Sequence, residues 1–165
     1  MPKQSDGNAA LRQARSLLES GEIGGSLVQS SGQIEPAKAL LDQYGKLHSW
    51  FVPVTVGDRL AGFFQFLPDL TMMRYSSFQR HDNSIEGCPT KELWLDEAAI
   101  LSRFQDYAGA GACVGKPYLT YDKSPSRVVW AAVFKASDGT TRTLQATGKT
   151  IEDLSRKEDQ SFGGA

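Results

Sequence analysis

Pro117–Thr147 reads PYLTYDKSPSRVVWAAVFKASDGTTRTLQAT, and this stretch decides the fold. Runs rich in Val, Thr, Trp, Tyr and Phe are broken at Lys123-Ser124-Pro125-Ser126 and again at Ala136-Ser137-Asp138-Gly139. Proline lacks the N–H that a central ladder needs, and Asp-Gly tolerates the positive φ of a tight hairpin. The spacing therefore predicts a meander of three strands, 117–122, 127–135 and 140–147. Side chains alternate across a strand, so Val128, Trp130, Ala132 and Phe134 share one face while Val129, Ala131 and Val133 share the other. Both faces are apolar, which calls for a strand covered on both sides. In the last strand Thr141, Thr143, Gln145 and Thr147 form a polar face that meets water.

Working outward toward the N-terminus, Asp96 is placed to cap a helix over Glu97–Tyr107, ended by Gly109-Ala110-Gly111. The segment Arg80–Thr90, with His81, Asp82, Asn83, Gly87 and Pro89, reads as a surface loop. Before it, Trp50–Thr55, Arg59–Leu67 and Thr71–Gln79 read as three further strands, joined at Val56-Gly57-Asp58 and Pro68-Asp69-Leu70. Pro36 at a first helical turn, a stripe of Ala37, Leu40, Leu41 and Tyr44, and Gly45 as a stop predict a second helix. A short strand is expected at Leu27 and Val28. Ala10, Leu11, Ala14, Leu17 and Leu18 fall at helical spacing over Ala9–Glu19, with Asn8 as cap and Gly21 beyond the end.

Helix followed by three strands thus occurs twice, over about 35–79 and 96–147, a period within the range of internal repeats. The expected architecture is α+β, a tandem α-β-β-β repeat forming an antiparallel sheet of about six strands with helices on one face. The expected organisation is an N-terminal helix and linker (1–33), a first unit (34–86), a second unit (87–150) and a frayed, charged then Gly-rich C-terminal tail (151–165).

The α-β-β-β unit ending in Arg127–Phe134, then Asp138-Gly139, then Leu144-Gln145-Ala146-Thr147-Gly148 resembles the PepSY and cystatin-like class of small modules. That resemblance implies a binding or inhibitory role, in a class often associated with peptidases or the cell envelope. The chain departs from the class in showing no export signal.

Composition narrows the partners. In 165 residues, 40% hydrophobic and 22% charged, Lys plus Arg number 18 against 19 Asp plus Glu, a formal charge of -1. No global field draws in nucleic acid or an anionic membrane, and no basic cluster with interleaved aromatics appears. Met1–Gly7 lacks the apolar core of a signal peptide and no apolar run is long enough to span a bilayer, so a cytoplasmic home is expected. Cys88 and Cys113 fit that setting as free thiols.

Chemistry-bearing residues are sparse. A thiolate nucleophile needs a base within hydrogen-bond reach, and His81, Asp82 and Cys88 approach that set without matching any signature. A metal site drawn from His48, His81, Cys88 and Cys113 lacks the short paired spacing of structural zinc ligands. Gly109-Ala110-Gly111 and Gly24-Gly25 lack the preceding strand and the lysine of a phosphate-binding loop. No catalytic residue, metal or cofactor is therefore assigned. The aromatics are the remaining signal, with Trp50, Phe64, Tyr75, Tyr118 and Trp130 as candidate ligand-binding residues. Most large aromatics build cores, and an excess on an uncovered face would make a binding surface. The function expected is a non-enzymatic binding or regulatory module for a protein, a peptide or a small apolar ligand, on a sheet face, at an edge strand or between the repeats. The alternatives are a small α+β enzyme with a pocket lined by Tyr75, Tyr118 or His81, and a structural subunit forming a homodimer through its sheet.

Overall fold

The structure is a computed structural model that describes residues 6–109, 111–125 and 127–154. Among these residues it is a mixed α+β protein with four helices and nine strands. Its contacts divide the chain into two compact units, one up to Trp94 and one from Leu95.

The first unit opens with helix α1 (Gly7–Glu19) and a short helix α2 (Ser26–Ser31). Strands β1 (Gln33–Ile34), β2 (Lys38–Leu41), β3 (Leu47–Val56), β4 (Arg59–Phe66) and β5 (Met72–Ser77) follow. β3, β4 and β5 are the three strands that the alternating aromatics announce. The order is β5-β4-β3-β2, antiparallel throughout, with β1 also beside β3. Pro53 lies inside the ten-residue β3. The register turns its missing N–H away from β4, toward the gap between β1 and β2, and its carbonyl accepts the N–H of Glu35 at 2.9 Å. No ladder bond is forfeited there, which is how a central strand keeps a proline.

Val52, Val54, Val56, Ala61, Phe64 and Phe66 on the sheet pack with Ala10 and Ala14 of α1 and Val28 of α2 into one buried cluster. Alanine at the contact lets the helix approach the sheet closely. The cluster's aromatic and branched side chains are each worth roughly 1.5–3 kcal/mol of burial.

Three expectations fail in this unit and one helix was not foreseen, each for a local reason. The helix expected over Pro36–Tyr44 is instead β2 and a turn. Lys38, Ala39 and Leu40 face Phe51, Trp50 and Ser49 across the ladder. Asp42 then closes the hairpin, its Oδ1 accepting the N–H groups of Tyr44 (2.8 Å) and Lys46 (3.0 Å) while its own N–H donates to Lys46 O at 2.8 Å. Tyr44, one of the supposed stripe, is 77% exposed. The expected strand at Leu27 and Val28 is α2, which buries Val28. The cap of α1 is Asp6 rather than Asn8, accepting from Ala9 N at 2.8 Å. Helix α3 (Lys91–Leu95), which buries Trp94, has no counterpart in the sequence reading because five residues carry too little periodicity.

The second unit is helix α4 (Glu97–Ala108) followed by β6 (Ala112–Tyr121), β7 (Val128–Lys135), β8 (Thr141–Thr147) and β9 (Thr150–Asp153), an antiparallel meander in chain order. Asp96 caps α4 as expected, accepting from Ala99 N at 3.1 Å. β7 is buried on both faces over Val128–Ala132, and β8 alternates between buried Leu144 and Ala146 and the more exposed threonines and Gln145. Gly139, at φ 88°, makes the β7–β8 turn, with Asp138 Oδ1 accepting from Thr140 N at 2.9 Å. The tail expected from residue 151 supplies most of β9 instead. Its Asp153 is buried and takes Arg142 Nε at 2.9 Å, while Arg142 also donates to Ala108 O at 3.3 Å at the end of α4. The rest of the expected tail, 155–165, lies outside the described residues. The strand total therefore exceeds the expected six by β1, β2 and β9.

Candidate functional site

The structure brings Trp50, Phe64 and Tyr75 onto the helix-bearing face of the first sheet. Phe64 is fully buried there, and Trp50 and Tyr75 are half-buried against the same cluster. They pack in or against the core of this unit. Tyr118 and Trp130 belong to the second unit and do not share a face. Tyr118 stands opposite Ala131 and Trp130 opposite Leu119, one register step apart. Trp130 is 3% exposed.

Tyr75 has one unusual feature. Its ring packs 4.9 Å from that of Phe64 and runs over Gly62, where a side chain would collide with the Tyr75 hydroxyl and with Ser76 O. Among the described residues that hydroxyl is the buried side-chain polar atom with no hydrogen-bond partner. Burial pushes its pKa up to about 12, with a smaller push from nearby Cys88. Cys88 itself is 2% exposed and its thiol is pushed up by burial, against a smaller downward pull from Arg59. A buried thiol held protonated is a poor nucleophile, and His81 is exposed. Cys113 is half-buried, with its thiol also raised by burial. Among the described residues no group of three His, Cys, Asp or Glu is placed to hold a metal ion.

The opposite face of the first sheet carries features that the sequence reading missed. Phe51, Phe63, Phe78 and Trp94 form an aromatic cluster, with ring centroids 4.6 Å apart for Phe51–Phe63, 5.9 Å for Phe63–Phe78 and 5.8 Å for Phe78–Trp94. Beside it runs a polar chain. Arg74 Nε donates to Gln65 Oε1 at 2.9 Å, Gln65 Nε2 donates to Ser49 Oγ at 2.9 Å, and Ser49 Oγ lies 3.0 Å from His48 Nδ1. Arginine only donates, so it orients the Gln65 amide. Gln65 amid three phenylalanines, buried at 0% exposure, was the legible signal, because a lone amide in an apolar run needs partners.

Among the described residues, two features of the first unit offer a place for a ligand. The first is the outer edge of β5. Phe78 N donates to Ala61 O at 2.8 Å, which makes that pair a hydrogen-bonded one. By alternation Ser76 and Arg74 bond to β4, while Tyr75 and Ser77 turn their N–H and C=O outward. β5 ends the sheet order, and its residues run from half-buried to exposed. The second is an open cleft of about 580 Å³ lined by Arg15, Leu18 and Glu19 of α1 with Gln29, Gly32, Gln33 and Ile34.

No protein-family model, curated protein or solved structure matches this chain. No described helix is long and apolar enough to cross a membrane.

Proposed function

We propose that the protein is a non-enzymatic binding module that takes an extended segment of a partner protein along β5. The observation that carries this reading is the outward pair of backbone groups at Tyr75 and Ser77, on a strand that ends its sheet. An uncovered edge is a template for an added strand, with main-chain bonds supplying affinity and alternate side chains supplying selectivity. Met72 at 40% exposure and half-buried Met73 provide adaptable apolar contact at its start.

The resemblance of Arg127–Phe134 and Leu144–Gly148 to PepSY and cystatin-like modules leans the same way, toward binding. A tandem origin belongs to this reading as well. It is supported by the order of elements only in that each unit sets helices, α1 and α2 or α4, ahead of a run of antiparallel strands. The setting that goes with the reading is the cytoplasm.

The test is selection of displayed random peptides on the folded protein, followed by affinity measurement on Ser77→Pro. Proline there removes an outward N–H and spares the β4 ladder, so the variant should melt within about 1 kcal/mol of the parent. It should also bind selected peptides at least ~10-fold more weakly, the equivalent of 1.4 kcal/mol. Ser76→Pro, which removes a ladder donor, should unfold far more easily. Peptides that bind Ser77→Pro as well as the parent, or a selection that yields none, would remove β5 as the site.

A further inference from the structure

The cleft beside α1 has a chemistry of its own. Arg15 and Glu19 stand one helical turn apart on its wall, both exposed. Among the described residues neither has an ion-pair partner, and they do not pair with each other. Arginine preceding glutamate is the less favourable order for an intrahelical pair, so the helix itself does little to close them together. Leu18 on the same helix and Ile34 on β1 also line the cleft, both half-buried against the core cluster. Ile34 also turns its backbone N–H and C=O away from β3, because Glu35 N bonds to Pro53 O and residues alternate along the strand. Gln33 and Gln29 add carboxamides at the rim, and the Gln29 side chain is steadied by its bond to Ile23 O.

An unpaired cation and an unpaired anion one helical turn apart, beside the half-buried Leu18 and Ile34, match a ligand with the opposite two charges on one carbon and a hydrocarbon branch. We infer that this cleft binds a free α-amino acid with an aliphatic side chain. Arg15 receives the carboxylate, Glu19 receives the ammonium, and the side chain lies on Leu18 and Ile34. Peptide termini carry one of the two charges and fill half of the site. Because the cleft is open and both charges are hydrated, the expected Kd is on the order of a millimolar. The site is independent of β5.

L-Leucine titrated into the full, isotope-labelled chain should give saturable amide shifts at Leu18, Gln29, Gln33 and Ile34. N-Acetyl-leucine, which lacks the ammonium, and leucinamide, which lacks the carboxylate, should each bind at least ~10-fold more weakly. Arg15→Gln and Glu19→Gln, both at exposed helix positions that leave the amide spectrum otherwise unchanged, should each lower leucine affinity by a similar factor. The inference is overturned if leucine produces no saturable shift at these residues. It is equally overturned if either blocked analogue binds as tightly as leucine, or if neither variant weakens binding.

Discussion

Replacing Tyr75 by Phe should stabilise this protein, against the usual direction of a core substitution. The Tyr75 hydroxyl is buried and finds no partner among the described residues, so folding strips it of water without replacing the bond. Such a group costs about 1–3 kcal/mol, and phenylalanine keeps the ring contact with Phe64, 4.9 Å between centroids, while removing the unmatched oxygen. The expected gain is about 1 kcal/mol, because the ring is only half-buried and part of the penalty is relieved by local motion. For a chain of this size that corresponds to roughly 2–4 °C in Tm. A urea melt read by fluorescence and a thermal scan should agree in sign. The pH dependence gives an independent check. Burial raises the phenol from 10.0 to about 12 in the folded protein. Its contribution is therefore complete below the unfolded value and is lost as pH climbs through the folded one. The stability difference between parent and Tyr75→Phe should widen between pH 10 and about 12 in favour of the variant, by about 1–2 kcal/mol after discounting for partial exposure. A loss of 1 kcal/mol or more in the variant at neutral pH would mean that the hydroxyl is bonded, and the reasoning about β5 and Gly62 would fall with it.

Trp130→Ala should cost about 3–5 kcal/mol in a denaturant melt, the penalty for truncating a large side chain at 3% exposure; a loss below ~1 kcal/mol would put Trp130 at the surface. Gly62→Ala should destabilise by about 1–3 kcal/mol through overpacking against Tyr75, and adding Tyr75→Phe should recover only part of it, since Ser76 O also meets the new methyl. A full recovery in that double variant would show the strand backbone to be uncrowded. Asp42→Ala should cost about 1 kcal/mol by releasing two turn N–H groups, with faster amide exchange confined to Leu41–Leu47; unchanged exchange there would count against the hairpin. Alanine at Cys88 and Cys113 together should leave peptide binding intact, as measured on the peptides selected above, because main-chain pairing along β5 makes no use of a thiol; a lost affinity would assign one of them to the site.

Local chemistry determined those parts of the chain in which pattern and punctuation agree. The doubly apolar Val128–Phe134, the Asp138-Gly139 turn, the Asp96 cap and the alternating aromatics from Trp50 to Phe66 each specify one conformation through nearest neighbours alone, and the structure has them so. Tertiary structure decided the rest. Ala37, Leu40, Leu41 and Tyr44 satisfy a helical period, yet so short a segment gains more from the ladder with β3 than from a helix, whose nucleation is costly and whose length would be marginal. The same holds for Thr150–Asp153, polar enough to read as tail. It becomes a strand because β8 offers an edge and Arg142 a counter-charge for Asp153. The candidate sites were legible only as residue types. Tyr75 stood out in the sequence as an aromatic, but its stranded hydroxyl and outward backbone depend on β-sheet register, and the Arg15–Glu19 cleft depends on β1 lying beside α1, a long-range packing that no local pattern encodes.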